Sequence, residues 1–199
     1  MNIFVTGTDT NAGKTTVAAW ICSKIRTTYW KLIQTGDTSD FEIIRRFAPG
    51  TKILPEAYRL RAPLSAYDAA KKENIVIDVE RFRVNFDKVV IEGAGGIFVP
   101  ITDNFLMIDA MKCTNSQVVI AVRAKLGIIN HILLTVSALK ANFIPILGIV
   151  ICGDLTDDIQ LTIEHFSSEK ILAVLPESEN LQEMFNSIPF PQQILKVLS

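Results

Sequence analysis

The chain predicts an α/β fold, with a parallel central sheet and helices on both faces. Three observations lead there. Short continuous apolar runs recur along the chain: Ile3–Val5, Lys88–Glu92, Val118–Val122, Ile146–Ile151 and Ile171–Leu175. Strands buried on both sides read this way, because neither side of the pleat meets water. Between these runs lie segments of helical period, such as Asn130–Lys140 with Ile132, Leu133, Val136 and Leu139 on its apolar face. Residues suited to chemistry then cluster just after the apolar runs. Right-handed crossovers bring all such strand ends to one edge of a sheet, where ligands bind.

In order, the expected elements are these. Ile3–Val5 is a strand, Lys14–Arg26 a helix, and Tyr29–Ile33 a second strand ending in Gln34-Thr35-Gly36. Ser39–Phe47 is a helix, with Ser39 as cap and Glu42 three residues on, a capping box. The stretch from Pro49 to Pro63 reads as irregular loop, and Ala66–Lys72 and Val79–Val84 as short helices. Lys88–Glu92 is a strand with an acidic end, followed by Gly93-Ala94-Gly95-Gly96. Phe105–Lys112, Asn130–Lys140 and Asp158–Phe166 are helices interleaved with the remaining strands, and short helices close the chain.

Composition sets bounds. The chain has 199 residues, 49% of them hydrophobic, enough for one domain spanning 1–199 with a full core. A formal net charge of −1 argues against a nucleic-acid binder that relies on a strongly basic surface. Cys22, Cys113 and Cys152 lie in apolar neighbourhoods without metal-like spacing, so buried free thiols are expected, and with them a reducing, cytoplasmic setting. The N-terminus enters a strand directly, without the pattern of a signal peptide. No apolar run reaches the length of about 20 residues that spans a bilayer, so no membrane association is expected.

The organising stretch is Phe4-Val5-Thr6-Gly7-Thr8-Asp9-Thr10-Asn11-Ala12-Gly13-Lys14-Thr15-Thr16. Strand, glycine-containing loop, Gly-Lys-Thr and helix is the order of a phosphate-binding loop, so the fold is of the P-loop NTPase type. Loop N–H groups point at phosphate oxygens, Lys14 brings a cation to the β- and γ-phosphates, and the Thr15 hydroxyl suits Mg²⁺. The spacing is unusual: five residues, Thr8 to Ala12, separate Gly7 from Gly13, where four are common. Glu92 ends a buried strand beside this loop, where NTPases hold Mg²⁺; the alternative is a solvated strand-end acid. Asp40, at a helix start, is either a second Mg²⁺ carboxylate or ordinary N-terminal charge. Lys31 stands within an apolar strand, which is costly unless it faces a charged ligand or a paired acid; otherwise it lies at the sheet edge. Gly127-Ile128-Ile129-Asn130 opens a helix whose free N–H groups suit an anion, or else Asn130 merely caps it. His131 reads as a packed or capping residue and His165 as surface.

Taken together, Gly7-Thr8-Asp9-Thr10-x-x-Gly13-Lys14-Thr15, Val90-Ile91-Glu92-Gly93-Ala94-Gly95-Gly96 and Lys125-Leu126-Gly127-x-x-Asn130-His131 resemble dethiobiotin synthetase, over the chain from its first strand to about Pro176. The resemblance implies an ATP-dependent cyclo-ligase of biotin biosynthesis that forms C–N bonds. Its substrates would be 7,8-diaminopelargonate, CO₂ and MgATP, and its product a cyclic urea. It implies that Lys14, Lys31 and Thr10 serve catalysis, and that Thr15, Asp40 and Glu92 hold Mg²⁺. It places Asp9, Asn11, Ala12, Gly13, Lys14, Thr15, Thr16, Cys152 and Pro176 at the nucleotide. It places Thr10, Lys31, Thr35, Gly95, Gly127, Ile128 and Asn130 at the diamine. A homodimer with a shared active site is implied as well.

Some positions depart from the family pattern. Asn11 stands where an acid is usual, Lys31-Leu32 where Lys-Pro is usual, and Ala66-Tyr67 where Pro-His is usual. Cys152 stands where an Asn often reads adenine. The alternative is a partitioning-type P-loop ATPase acting as a binding or positioning module. Such a protein typically carries a second Lys early in the loop, and here Thr8-Asp9 holds that place. Related amidating or ligase enzymes carry a glutaminase domain, for which 199 residues leave no room.

Overall fold

The computed structural model describes residues 1–37 and 39–198. The first strand, β1 (Asn2–Gly7), is buried along its whole length. It leads through the loop into α1 (Lys14–Lys24). There follow β2 (Thr28–Lys31), β3 (Ile33–Thr35), α2 (Asp40–Phe47), β4 (Lys52–Leu54), β5 (Tyr58–Leu60) and α3 (Ala66–Lys72). After a 3₁₀ turn at Val79–Phe82 come β6 (Val89–Gly96), β7 (Pro100–Thr102), β8 (Phe105–Leu106), α4 (Met107–Cys113) and β9 (Ser116–Arg123). The chain ends in α5 (Ile128–Ala141), β10 (Ile146–Cys152), α6 (Asp157–Ser167), β11 (Ile171–Leu175), α7 (Leu181–Ser187) and α8 (Gln192–Leu198).

Seven strands form one sheet in the order β11-β10-β9-β1-β6-β2-β4, and every neighbouring pair runs parallel. Alternation along β1 shows why helices are needed on both sides. Phe4 joins a core with Ile91, Val118, Ile132 and Leu139, while Ile3 and Val5 join another with Val17, Trp20, Val90 and Phe185. The first core lies under α3, α4 and α5 and the second under α1, α2, α7 and α8. The expected fold class is borne out.

Several local expectations need correction. The second strand breaks at Leu32. Its first part stays in the main sheet, and Ile33–Thr35 turns away to pair with Tyr58–Leu60 in a two-stranded ribbon. The stretch from Pro49 to Pro63 therefore holds β4, the sheet's edge strand, and β5. Three-residue strands between prolines have too few alternations to reveal a period. The glycines after Glu92 are not all loop. β6 runs through Gly96, which pairs with Gly7. Phe105 and Leu106 form a short antiparallel pairing with β7 before the helix begins. Ser39 precedes α2 but makes no side-chain cap, so there is no capping box. At α5 the cap is Gly127, and Asn130 lies in the first turn. His165 is exposed as expected. The cysteines are free, but Cys113 is only half-buried. Among the described residues, no helix is long and apolar enough to cross a membrane.

Candidate active site

The C-terminal ends of the parallel strands meet at one edge, and the loops there build the site. The turn into α1 depends on Gly13. Its φ of 89° lies in the left-handed region, and a Cβ there would come within 2.5 Å of the Cys152 sulfur. Only glycine meets both demands.

Lys14 is 5% exposed. Its ammonium donates to the carbonyls of Asp9 (3.0 Å) and Thr10 (2.9 Å), folded against its own loop. Burial, and then the nearby Lys31 cation, push it down to about 8. A bound phosphate would restore the charged form. Nucleotide binding slightly above pH 8 is therefore expected to take up protons, because free Lys14 is partly neutral there and bound Lys14 is not. Calorimetry in buffers of different ionisation enthalpy measures this, and Lys14→Met should remove the uptake.

On the adjacent strands the register sets Lys31 beside Glu92. The Lys31 ammonium contacts Glu92 Oε1 at 2.5 Å and Asp40 Oδ2 at 2.6 Å. Burial alone would pull this ammonium down, but Glu92 and Asp40 outweigh it and hold it above the usual lysine value. Lys31 is thus not an edge lysine; its cost in the core is met by two paired acids. Glu92 has no solvent exposure. Thr15 Oγ1 also donates to its Oε1 (2.9 Å), and the Tyr29 hydroxyl donates to its Oε2 (2.8 Å). Tyr29 escapes a sequence reading, because an aromatic in an apolar strand looks like packing. The available signal was its spacing, two residues before Lys31 and so on the same strand face.

Lys14, Thr15, Lys31, Asp40 and Glu92 line a cavity of about 510 Å³ that also includes Thr10, Asn11, Thr16, Thr35 and Gly95. A second cavity of about 520 Å³ shares Gly13, Thr16 and Arg123 with it and is bounded by Cys152 and Pro176. Burial pushes the Cys152 thiol up to about 11. Asp9 and Ala12 line neither cavity. Ala12 is buried, while Asp9 accepts from the Thr10 backbone N–H and pairs with Lys125 at 3.1 Å. The Thr10 hydrogen bond and then Lys125 hold the Asp9 carboxyl below its usual value. Gly127, Ile128 and Asn130 also lie outside both cavities, at the start of α5. Sequence reasoning did not single out Arg123 or Tyr29.

Thr15, Asp40 and Glu92 offer only oxygen donors: one hydroxyl and two carboxylates that already converge on one cation. This set suits a hard divalent ion such as Mg²⁺, completed by phosphate and water.

A parallel sheet with a phosphate loop at the end of its central strand and two acids beside it defines a P-loop nucleotide-binding protein. The family model described as AAA domain matches residues 1–184. A ParA family ATPase from Chlorobium tepidum superposes with a TM-score of 0.56 at 14% identity, over 98% of this chain and 92% of that one, which shows the fold. Sequence relatives narrow the class. The ATP-dependent dethiobiotin synthetase of Paramagnetospirillum magneticum is 45% identical over 86% of this chain and 85% of its own length. That of Sphingopyxis alaskensis is 40% identical over 92% and 94%. The chain belongs to the dethiobiotin synthetase family. The resemblance carried by its three motifs is borne out over the partitioning-ATPase alternative.

Proposed function

We propose that the chain, acting as one domain in the cytoplasm, carboxylates 7,8-diaminopelargonate and closes the cyclic urea at the expense of ATP. The observation that carries the reading is the convergence of Lys14, Thr15, Lys31, Asp40 and Glu92 on one cavity, in a chain of this family. One amine takes up CO₂ to form a carbamate. A carbamate oxygen then attacks the γ-phosphorus, ADP departs, and a mixed carbamic–phosphoric anhydride results. The second amine attacks the carbonyl carbon and expels phosphate. Such chemistry asks the protein mainly for positioning and charge neutralisation. Lys14 neutralises the transferring phosphoryl group. Lys31, held in place by two carboxylates, supplies a cation to the carbamate with Thr35 beside it. Thr10 and Gly95 line the diamine's reacting end. Thr15, Asp40 and Glu92 would hold Mg²⁺, which would supply charge compensation for the transferring phosphoryl group. The N–H groups of Gly13 to Thr16 at the start of α1 face the phosphates. Incubation with MgATP, bicarbonate and 7,8-diaminopelargonate, followed by mass spectrometry, tests this reading; no urea product at saturating substrates would overturn it.

A homodimer is part of the proposal. Leu126, just before α5, Leu134 within it and Phe98 are exposed apolar residues. Phe98 and Leu134 share a mostly apolar groove of about 380 Å³ with Val99 and Pro100, which supports a second copy packing there.

Base selection is expected to be loose. The second cavity would take the base, and at Cys152 it offers a thiol, a poor donor and acceptor. Its sulfur lies against the Gly13 carbonyl at 3.9 Å. Losing an amide pair to the base edge removes discrimination of roughly 1–3 kcal/mol. GTP or CTP should then support turnover not far below ATP. Strict ATP dependence in a nucleotide panel would mean that another residue reads the base.

A further inference from the structure

We propose that Tyr29 is a positioning residue that fixes the Glu92 carboxylate for the metal, an inference that rests on the reading of Glu92 as a Mg²⁺ ligand. Tyr29 has no solvent exposure, and phenylalanine would fill the same space. A buried phenol needs a partner for its hydroxyl, and here the partner is Glu92 Oε2, at 2.8 Å. The other carboxylate oxygen, Oε1, receives Thr15 and Lys31. Both of those groups have other work in the proposed reaction: Thr15 at the metal and Lys31 at the carbamate. Tyr29 has none: its hydroxyl donates to Glu92 and is assigned no other role. Its bond on Oε2 leaves Oε1 turned toward the cavity.

The same ring stands edge-on to Phe41 at 6.1 Å. Phe41 follows Asp40 in the first turn of α2. One buried side chain therefore touches one acid directly and braces the helix that carries the other. Outer partners of this kind orient metal-binding carboxylates, and their loss typically lowers metal affinity or activity about 10–100-fold.

The test measures metal binding apart from turnover. Mn²⁺ is titrated into the enzyme–ADP complex, with enzyme in excess, and free Mn²⁺ is read by electron paramagnetic resonance. Tyr29→Phe keeps the ring and its contact with Phe41 and deletes only the hydroxyl. It is expected to raise the Mn²⁺ Kd about tenfold or more, while the Kd for ADP in EDTA stays at the wild-type value. Glu92→Gln should raise the Mn²⁺ Kd at least as much. The double variant should be no weaker than Glu92→Gln alone, because Tyr29 acts through Glu92. If Glu92→Gln weakens Mn²⁺ and Tyr29→Phe does not, the proposal is overturned while the Glu92 reading stands. If neither weakens it, that reading fails and the proposal falls with it. Equal losses in Mn²⁺ and metal-free ADP binding would mark a merely structural tyrosine and also overturn the proposal.

Discussion

Lys14→Ala is expected to cost at least about 10²–10³-fold in kcat, the loss typical of removing one charge-stabilising donor from a transition state, and to leave the protein folded. The fold should survive because the ammonium is an electrostatic burden in the resting structure: burial and Lys31 both disfavour its charge. It does tie the loop, through the carbonyls of Asp9 and Thr10, so it is less idle than a residue that only awaits phosphate. Thr10 lines the open cavity, however, and water can replace the ammonium on its carbonyl. Phosphate release under saturating substrates gives kcat, and a thermal melt reports the fold. A variant that turns over near the wild-type rate would refute the assigned role.

The second large effect is expected from mixing two inactive enzymes. In the proposed reaction the diamine's amines lie near Lys14 and Lys31, and its carboxylate several carbons away. In the first turn of α5 the Ile128 N–H already donates to the Lys125 carbonyl, and those of Ile129 and Asn130 are left to an anion, yet Gly127, Ile128 and Asn130 lie outside the cavity formed by their own subunit. In the proposed homodimer, a start of α5 contributed by the partner copy would reconcile the two. Lys14→Ala and Asn130→Ala should each be weak or dead alone. After denaturation and random re-pairing, half the dimers are mixed, and each mixed dimer has one intact site of two. Roughly a quarter of full activity should return. A mixture no better than the average of its components would place both residues in one subunit's site.

Much of this site was readable from residue types in order. Glu92 was legible because a carboxylate at the end of a buried strand beside a phosphate loop has few other uses. Lys31 was legible as a problem, a cation in an apolar run, and its two acids were legible as candidates. That the three would meet was not, since it depends on the register between β2 and β6, and strand neighbours far apart in sequence leave no trace in either strand alone. The break at Leu32 was hidden for a related reason. Tyr29 to Ile33 is uniformly apolar around Lys31, so nothing marks where one strand ends and the next begins. β4 was missed because it is an edge strand: Lys52 is exposed, Ile53 and Leu54 are half-buried, and Pro55 follows. Tyr29 was missed because the hydroxyl that gives it a role is a single atom on a side chain otherwise suited to the core.

The place of β1 in the sheet also governs how the chain can be born. Both its neighbours, β6 and β9, are made much later than β1 itself, beginning at Val89 and Ser116. At the usual pace of synthesis, roughly 5–20 residues per second, the first strand waits several seconds for a partner. During that time Ile3, Phe4 and Val5, which carry no solvent exposure in the finished protein, have nothing in the sheet to cover them. A nascent chain stopped before residue 123 cannot complete the pairing on both sides of its own phosphate loop, so nucleotide binding has to wait until β9 has left the ribosome.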